Sequence, residues 1–130
     1  MHLNHINLTV PDVTASADFL RRHFGLRDMG LRPTRVMALL TDGHGMVLNL
    51  SNFDAVDRVT WPDDFHIGFI RGSRAEVDAT HAELVAAGYH ADEPRRFHGS
   101  WTFYVRAPGG FLVEVQHYEG AGAAPAGVQA

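Results

Sequence analysis

LNHINLTVPD, residues 3–12, is the segment that decides the fold. Ile6 and Leu8 alternate with polar residues, and this period of two predicts a strand with one apolar and one polar face. The Pro-Asp pair ends the strand and opens a helix, in which apolar residues recur at helical spacing until Gly25. Because glycine is a common C-terminal cap, the helix is expected to end there.

The same order of elements occurs twice along the chain. Three short extended runs follow the first helix, at residues 26–31, 35–41 and 46–51. The pattern then restarts with a predicted strand over 65–72 and a helix whose Ser-x-x-Glu capping box begins at Ser73. Three more extended runs follow, at residues 90–97, 101–106 and 111–118. The repeat predicts an α+β fold of two βαβββ modules.

The length and the repeat together define the expected organisation. A chain of 130 residues suits one domain or two small modules that share a core. We expect a first module over residues 1–52, a polar linker over 53–64, a second module over 65–118 and a flexible Gly/Ala-rich tail over 119–130. The alternative is an ordinary α+β sheet protein with accidental symmetry.

The composition excludes several classes of function. Eleven basic residues, all Arg, stand against fifteen acidic ones, and the net charge of −4 argues against a nucleic-acid partner. The absence of cysteine excludes disulfides, thiolate nucleophiles and Cys–zinc sites, so the nine histidines are the main candidate metal ligands. No signal peptide and no apolar run of about 20 residues is visible, so we expect a cytoplasmic protein with no membrane partner.

Polar residues at matching places in the two modules suggest a metal site. The polar face of the first strand carries His5 and Asn7, and His66 opens the second module as His5 opens the first. Glu114 interrupts an apolar run in the last strand, where a lone carboxylate is costly without a partner. Two imidazoles and one carboxylate can hold a divalent ion and leave positions open for substrate. The alternative is a surface carboxylate and two histidines that make ordinary hydrogen bonds.

Three segments give the sequence a family resemblance. Residues 3–12, His66–Phe69 and Ala107–Glu114 resemble the vicinal oxygen chelate superfamily, which includes glyoxalase I, extradiol dioxygenases, fosfomycin-resistance enzymes and bleomycin-binding proteins. The resemblance implies that the strands of the two βαβββ modules form a curled sheet around a central, metal-lined cavity. The family turn Asp-Pro-Asp-Gly is replaced by Ala-Pro-Gly-Gly before the last strand, which affects the turn and not the ligands.

The resemblance implies a metal site formed by His5, His66 and Glu114. The metal would be a divalent ion (Fe, Mn, Ni or Zn). The fourth family position, which holds a carboxylate in glyoxalase I, is occupied by Asn49. An amide cannot act as a general base, which argues against true glyoxalase I activity. Asn49 is a neutral ligand, a substrate hydrogen-bond donor or a structural amide.

The second-module strand over 101–106 supplies further candidates. In fosfomycin enzymes and extradiol dioxygenases a Tyr faces the metal at the position of Tyr104, which implies a catalytic hydrogen-bond donor; the alternative is an aromatic residue of the core. Thr102 is in phase with Tyr104, and Trp101 lies near a loop, where its ring could line a hydrophobic pocket. Together with Asn7 and Asn49, Thr102 and Trp101 form the expected substrate-binding set.

The leading function is a metal-dependent enzyme of the glyoxalase or dioxygenase type that acts on a small oxygen-chelating substrate. Its chemistry would be that of a dioxygenase or of a lyase or isomerase. The alternative is a non-catalytic protein that sequesters an antibiotic, as bleomycin-resistance proteins do. In either case the expected partners are a small molecule and a second copy of the chain in a homodimer, because curled sheets leave edges that another subunit can cover.

Overall fold

The computed structural model describes residues 1–120, and its elements repeat one order twice. The first module contains β1 (His5–Thr9), α1 (Val13–Phe24), β2 (Arg27–Asp28), β3 (Met37–Thr41) and β4 (Val47–Ser51). The second contains β5 (His66–Ile70), α2 (Arg74–Ala86), β6 (Arg95–Phe97), β7 (Ser100–Arg106) and β8 (Leu112–Tyr118). The prediction of an α+β fold with two βαβββ modules is confirmed.

The two modules have the same sheet topology. One four-stranded sheet has the order β1-β4-β3-β2 and the other the order β5-β8-β7-β6. In each sheet the first and last strands of the module run parallel, and the other neighbours run antiparallel. The register pairs Asn7 with Asn49 in one sheet and Gly68 with Glu114 in the other. Asn49 and Glu114 therefore occupy equivalent positions.

The chain divides into two compact units that follow the modules closely. One unit contains residues 1–62 and takes in 107–110 from the turn before β8, and the other contains residues 63–106 and the chain from 111 onward. Within the first unit, the Trp61 indole N–H donates to the Gly109 carbonyl at 3.0 Å. This bond fixes the returning turn to the end of the first unit.

The helices begin and end where the local sequence dictates. The Asp12 side chain accepts a hydrogen bond from the Ala15 backbone N–H at 2.9 Å, and Gly25 ends α1 with a left-handed φ of 69°. Ser73 caps α2 by accepting from the Glu76 backbone N–H at 3.2 Å. Neither helix, nor any other in residues 1–120, is long and apolar enough to cross a membrane.

Each module buries an apolar core between its helix and its sheet. In the first module the core includes Phe19, Leu20, Leu40 and Leu50, and in the second it includes Val77, Leu84, Phe103, Val113 and Val115. Because side chains alternate along a strand, the residues between these core positions lie on the opposite face of each sheet. In β8 that opposite face carries Leu112, Glu114 and Gln116.

Two strands are shorter than the sequence predicts. The run over 26–31 forms only the two residues of β2, and the run over 90–97 forms only the three residues of β6. Pro94 has no backbone N–H to add to the sheet, so β6 starts after it. Upstream, the Asp92 N–H still donates to the Tyr104 carbonyl at 3.0 Å, which keeps this segment beside β7.

The predicted flexible tail lies outside the described residues from 121 on. Its first residue is held in place: Glu119 accepts hydrogen bonds from the Arg74 guanidinium and pairs with Arg96 at 3.3 Å. The Arg74 hydrogen bond also holds the pKa of the Glu119 carboxyl below its usual range. Glu119, one residue past the end of β8, is therefore held by two arginines.

The hairpin between β6 and β7 contains a strained residue. Phe97 pairs with Ser100, so only two residues make the turn, and both have positive φ, 49° at His98 and 78° at Gly99. This is the arrangement of type I′ turns, which favour Asn-Gly because most side chains resist a positive φ. His98 is one of only two non-glycine residues with positive φ in residues 1–120.

Replacing His98 by Asn is therefore expected to stabilise the protein. Asn tolerates the left-handed conformation better than His, and we expect a gain of about 0.5–1 kcal/mol in the free energy of unfolding. Denaturant unfolding of the two proteins measures this difference. His44→Asn, in the turn between β3 and β4, is the matched control and should change nothing, because no positive φ occurs at His44. A less stable His98→Asn protein would show that the ring contact of His98 with Phe97 outweighs the strain.

Candidate metal and substrate site

A cavity of about 740 Å³ lies against the face of the second sheet that points away from α2. Strand side chains from β5, β7 and β8 line it, and so do the two residues at the end of the β6 hairpin. The residues that matter most for its chemistry are His66, Phe97, His98, Tyr104 and Glu114.

Glu114 is the best-connected side chain of the cavity. Its side chain is only 12% exposed, and its Oε2 lies 3.3 Å from Nε2 of His66. The Thr102 hydroxyl donates to Oε1 at 2.8 Å, and the Tyr104 hydroxyl donates a further hydrogen bond to the same carboxylate. The need for a partner that the sequence predicts for this carboxylate is therefore met by two hydroxyl donors, Thr102 and Tyr104.

The imidazole of His66 is held in one tautomer. Its Nδ1 lies 2.8 Å from the Asp64 carbonyl oxygen, which can only accept, so Nδ1 carries the proton. In a neutral ring, Nε2 then turns its lone pair toward the Glu114 carboxylate. A cation shared by Nε2 and the carboxylate would remove the repulsion between them. A backbone carbonyl on the far nitrogen is also the usual support of a metal-binding histidine, so this pair of residues fits a divalent ion.

Tyr104 lies in the cavity and not in the core beneath α2. Its ring meets the ring of His66 edge-on, with centroids 5.5 Å apart. Burial, followed by the negative charge and the hydrogen bond of Glu114, raises the pKa of Tyr104 to about 12, against a smaller opposing effect of Arg95. The phenol is therefore a hydrogen-bond donor at neutral pH.

Thr102 holds the Glu114 carboxylate by a hydrogen bond from its buried hydroxyl. It is fully buried, and its hydroxyl lies 2.8 Å from Glu114 Oε1 and 3.1 Å from the Val115 carbonyl oxygen. A hydroxyl covered in this way reaches the carboxylate and not the open cavity. In this geometry Thr102 orients Glu114, whereas the sequence predicts that it touches substrate.

Trp101 lies on the other face of the sheet. Its indole N–H donates to Oδ1 of Asp78 on α2 at 2.8 Å, and the Arg74 guanidinium lies 4.7 Å from the ring centroid. The expectation that its ring lines the pocket therefore has to be corrected for this cavity. The physical reason is the period of two along β7, which places Trp101 opposite to Thr102 and Tyr104.

The first module carries other polar residues at positions equivalent to those of the second module. His5 Nδ1 lies 2.8 Å from Asn4 Oδ1, so Nδ1 of His5, like that of His66, faces an oxygen. Asn7 and Asn49 are paired in the register of β1 and β4. Oδ1 of Asn49 is buried and has no hydrogen-bond partner in residues 1–120. Because a buried orphan acceptor is costly, Asn49 fits a ligand or substrate contact better than a structural amide.

The described residues do not by themselves assemble a complete metal site. Within residues 1–120, no group of three or more His, Asp or Glu side chains is close enough to hold a metal ion. His66 and Glu114 lie together in one unit, and His5 belongs to the other. The three-ligand site therefore stays a prediction.

Comparison with known families decides the relationship. The family model described as "Glyoxalase/Bleomycin resistance protein/Dioxygenase superfamily" matches residues 2–115. The chain belongs to this superfamily. No protein with a curated description matches it. The resemblance seen in the sequence is thus confirmed over most of the chain.

Solved structures of the superfamily support the same conclusion. A structure described as a possible glyoxalase from Bacillus cereus is 38% identical with a TM-score of 0.78, and the match covers 89% of this chain and 98% of that one. A lactoylglutathione lyase from Agrobacterium tumefaciens is 24% identical with a TM-score of 0.71, over 89% and 92% of the two chains. A family enzyme from Burkholderia phytofirmans is 16% identical with a TM-score of 0.77, over 92% and 100%. The last two show the fold alone.

Several residues of the cavity are not predicted from the sequence. His90, Asp92 and Arg106 line it, as do Phe97 and His98 of the hairpin. The pairing of β6 with β7 places Phe97 and His98 there, and no short motif marks that pairing. The usable signal is the Phe-His-Gly-Ser sequence, whose two central residues fit a two-residue hairpin turn.

Proposed function

We propose that the protein is a metal-dependent enzyme that acts on a small substrate which chelates the metal through neighbouring oxygens. His5, His66 and Glu114 would hold the ion. The observation that carries the proposal is the arrangement of His66 Nε2, which faces a carboxylate that Thr102 and Tyr104 already orient. Outer partners of this kind usually accompany metal ligands.

The chain's own residues have distinct tasks in this proposal. Glu114 and the two histidines would bind the ion, and Thr102 would keep the carboxylate in one orientation. Tyr104, which donates its one hydroxyl proton to Glu114 in this structure, would turn that hydrogen bond to a substrate oxygen held beside Glu114. A divalent ion at this place supplies a Lewis acid that stabilises negative charge developing on a substrate oxygen.

The proposed reaction is that of a dioxygenase, or else that of a lyase or isomerase. Two imidazoles and a carboxylate suit Fe, Mn, Ni or Zn. Asn49 stands at the position equivalent to Glu114, and its amide cannot take a proton from substrate. Any base that the reaction requires must therefore come from another residue or from the substrate itself.

We propose that the enzyme works as a cytoplasmic homodimer. Each four-stranded sheet ends on two edge strands, β1 and β2 in one and β5 and β6 in the other. Free backbone groups at such edges favour cover by another chain. Light scattering on the purified protein should give twice the mass of one chain, and a monomer at micromolar concentration would contradict the dimer.

Thr102→Val tests the proposal through a residue that touches no substrate. Valine has nearly the same shape but cannot donate to Glu114, and the loss of such an outer contact typically lowers metal affinity about 10–100-fold. Titration with Mn²⁺, followed by electron paramagnetic resonance, measures the affinity. Ser100→Ala is the matched control, because Ser100 is a buried hydroxyl of the same strand that donates to Gln116 instead. Equal affinity in Thr102→Val and wild type would argue against Glu114 as a ligand.

A further inference from the structure

One cation of the hairpin, Arg95, lies over an aromatic ring. Arg95 and Phe97 are alternate residues of β6, and Arg95 pairs with Thr102 across the neighbouring strand. The two side chains therefore lie on the same face as the cavity. The Arg95 guanidinium lies 4.5 Å from the centroid of the Phe97 ring. Stacking on an aromatic ring leaves the N–H edge of a guanidinium available for hydrogen bonds.

Arg95 differs in its partners from the arginines that form ion pairs. Arg21 pairs with Asp28 at 3.0 Å, and Arg74 and Arg96 both pair with Glu119. Within residues 1–120, no carboxylate pairs with Arg95. A planar cation that is held by a ring and has no anionic partner is suited to bidentate binding of a carboxylate from another molecule.

Charged side chains lie at both ends of β7. Asp64, Asp92 and Arg106 lie at the end where β5 begins, near His66. Arg95 and His98 belong to the opposite end, at the hairpin. Arg95 pairs with Thr102, which pairs with Gln116, two residues along β8 from Glu114. The backbones of Arg95 and Glu114 are therefore two strand spacings and two residues apart, roughly 12 Å. One small molecule can therefore contact Arg95 with one group and Glu114 with another.

We propose that Arg95 binds a carboxylate of the substrate, so that the substrate class is a small carboxylic acid with its metal-chelating oxygens at the other end. Phe97 is a positioning residue that holds the guanidinium flat. The inference rests on the proposed function for the placing of the chelating oxygens at Glu114. Beyond that function, it names the charged group of the substrate that Arg95 recognises.

Two matched compounds test the proposal. 3,4-Dihydroxybenzoate carries neighbouring hydroxyls and a carboxylate at opposite ends of one ring, and 3,4-dihydroxybenzamide replaces only the carboxylate by a neutral amide. Calorimetric titration of the full chain, loaded with Mn²⁺ and kept free of oxygen, should give at least about tenfold tighter binding of the acid. Arg95→Gln should remove this preference. Arg106→Gln should keep it, because Arg106 lines the cavity but has another interaction.

Variants at Phe97 separate positioning from simple packing. Phe97→Leu should reduce the preference for the acid, and Phe97→Tyr, which keeps a ring beneath the guanidinium, should restore it. Equal binding of the two compounds by the wild type would overturn the proposal. A preference that survives in Arg95→Gln and disappears in Arg106→Gln would also overturn it.

The same titrations distinguish this proposal from the proposed function. Glu114→Gln should weaken both compounds in the Mn²⁺-loaded protein and leave the preference for the acid intact. If Glu114→Gln binds both compounds as the wild type does while Arg95→Gln loses the preference, the carboxylate site stands and the metal-dependent function fails. If Glu114→Gln binds both compounds more weakly and Arg95→Gln binds both as the wild type does, the metal-dependent function stands and the carboxylate site fails.

Discussion

Glu114→Gln is expected to lower the affinity for Mn²⁺ by more than about 100-fold. The amide keeps the shape of the side chain, but it replaces a charged ligand by a neutral one, which costs more than the roughly 10–100-fold loss of an outer-shell partner. The site would retain two neutral imidazoles, which offset none of the charge of a dication. Turnover of any substrate should fall with the metal.

The control for this prediction is another carboxylate at the end of β8. Glu119→Gln removes the ion pairs with Arg74 and Arg96, which lie outside the cavity. It should leave Mn²⁺ affinity unchanged. Titration of both proteins under identical conditions gives the comparison. A folded Glu114→Gln protein that binds Mn²⁺ as tightly as the wild type would remove Glu114 from the metal site.

Trp101→Ala is expected to lower the free energy of unfolding by about 2–3 kcal/mol without changing metal affinity. Truncation of a fully buried Trp typically costs about 3–5 kcal/mol, and Trp101 is only half-buried. The substitution removes the hydrogen bond to Asp78 and the ring on which Arg74 lies. Denaturant unfolding measures the stability. Trp101→Phe retains a ring but loses the hydrogen bond, so its free energy of unfolding should fall between those of Trp101→Ala and the wild type.

The Trp101 substitution also separates the enzyme from an antibiotic-sequestering protein that stacks its ligand on this ring. Such a protein would lose its ligand in Trp101→Ala while keeping it in Glu114→Gln. The metal-dependent enzyme gives the opposite order for the two variants. Loss of ligand binding in a Trp101→Ala protein that is fully folded would therefore favour sequestration.

The fold is predictable from the sequence because its signals are local. The alternation in residues 3–12 predicts β1, and the polar residues that begin α1 and α2 are observed to cap them. The order of elements, repeated twice, then predicts the two modules. The lengths of β2 and β6 are not predictable in this way, because they depend on which backbone groups find a partner strand.

The site is only partly predictable because it depends on strand pairing. Glu114 stands out since it interrupts an apolar run, and its pairing with Tyr104 follows only from the register of β7 and β8. The nearness of Trp101 to a turn predicts a place in the pocket, whereas its alternation with Thr102 decides its face. Arg95 reaches the cavity face through the pairing of a three-residue strand, for which the sequence carries no clear pattern.

The most direct test of the metal site is a crystal structure of the protein grown with Mn²⁺, with diffraction data collected at the manganese absorption edge. One anomalous peak should lie roughly 2.0–2.3 Å from Nε2 of His66, from a carboxylate oxygen of Glu114 and from Nε2 of His5, contributed by the same chain or by a second copy. An Mn²⁺-saturated crystal with no peak beside His66 and Glu114, or with a peak that His5 does not touch, would contradict the three-ligand site.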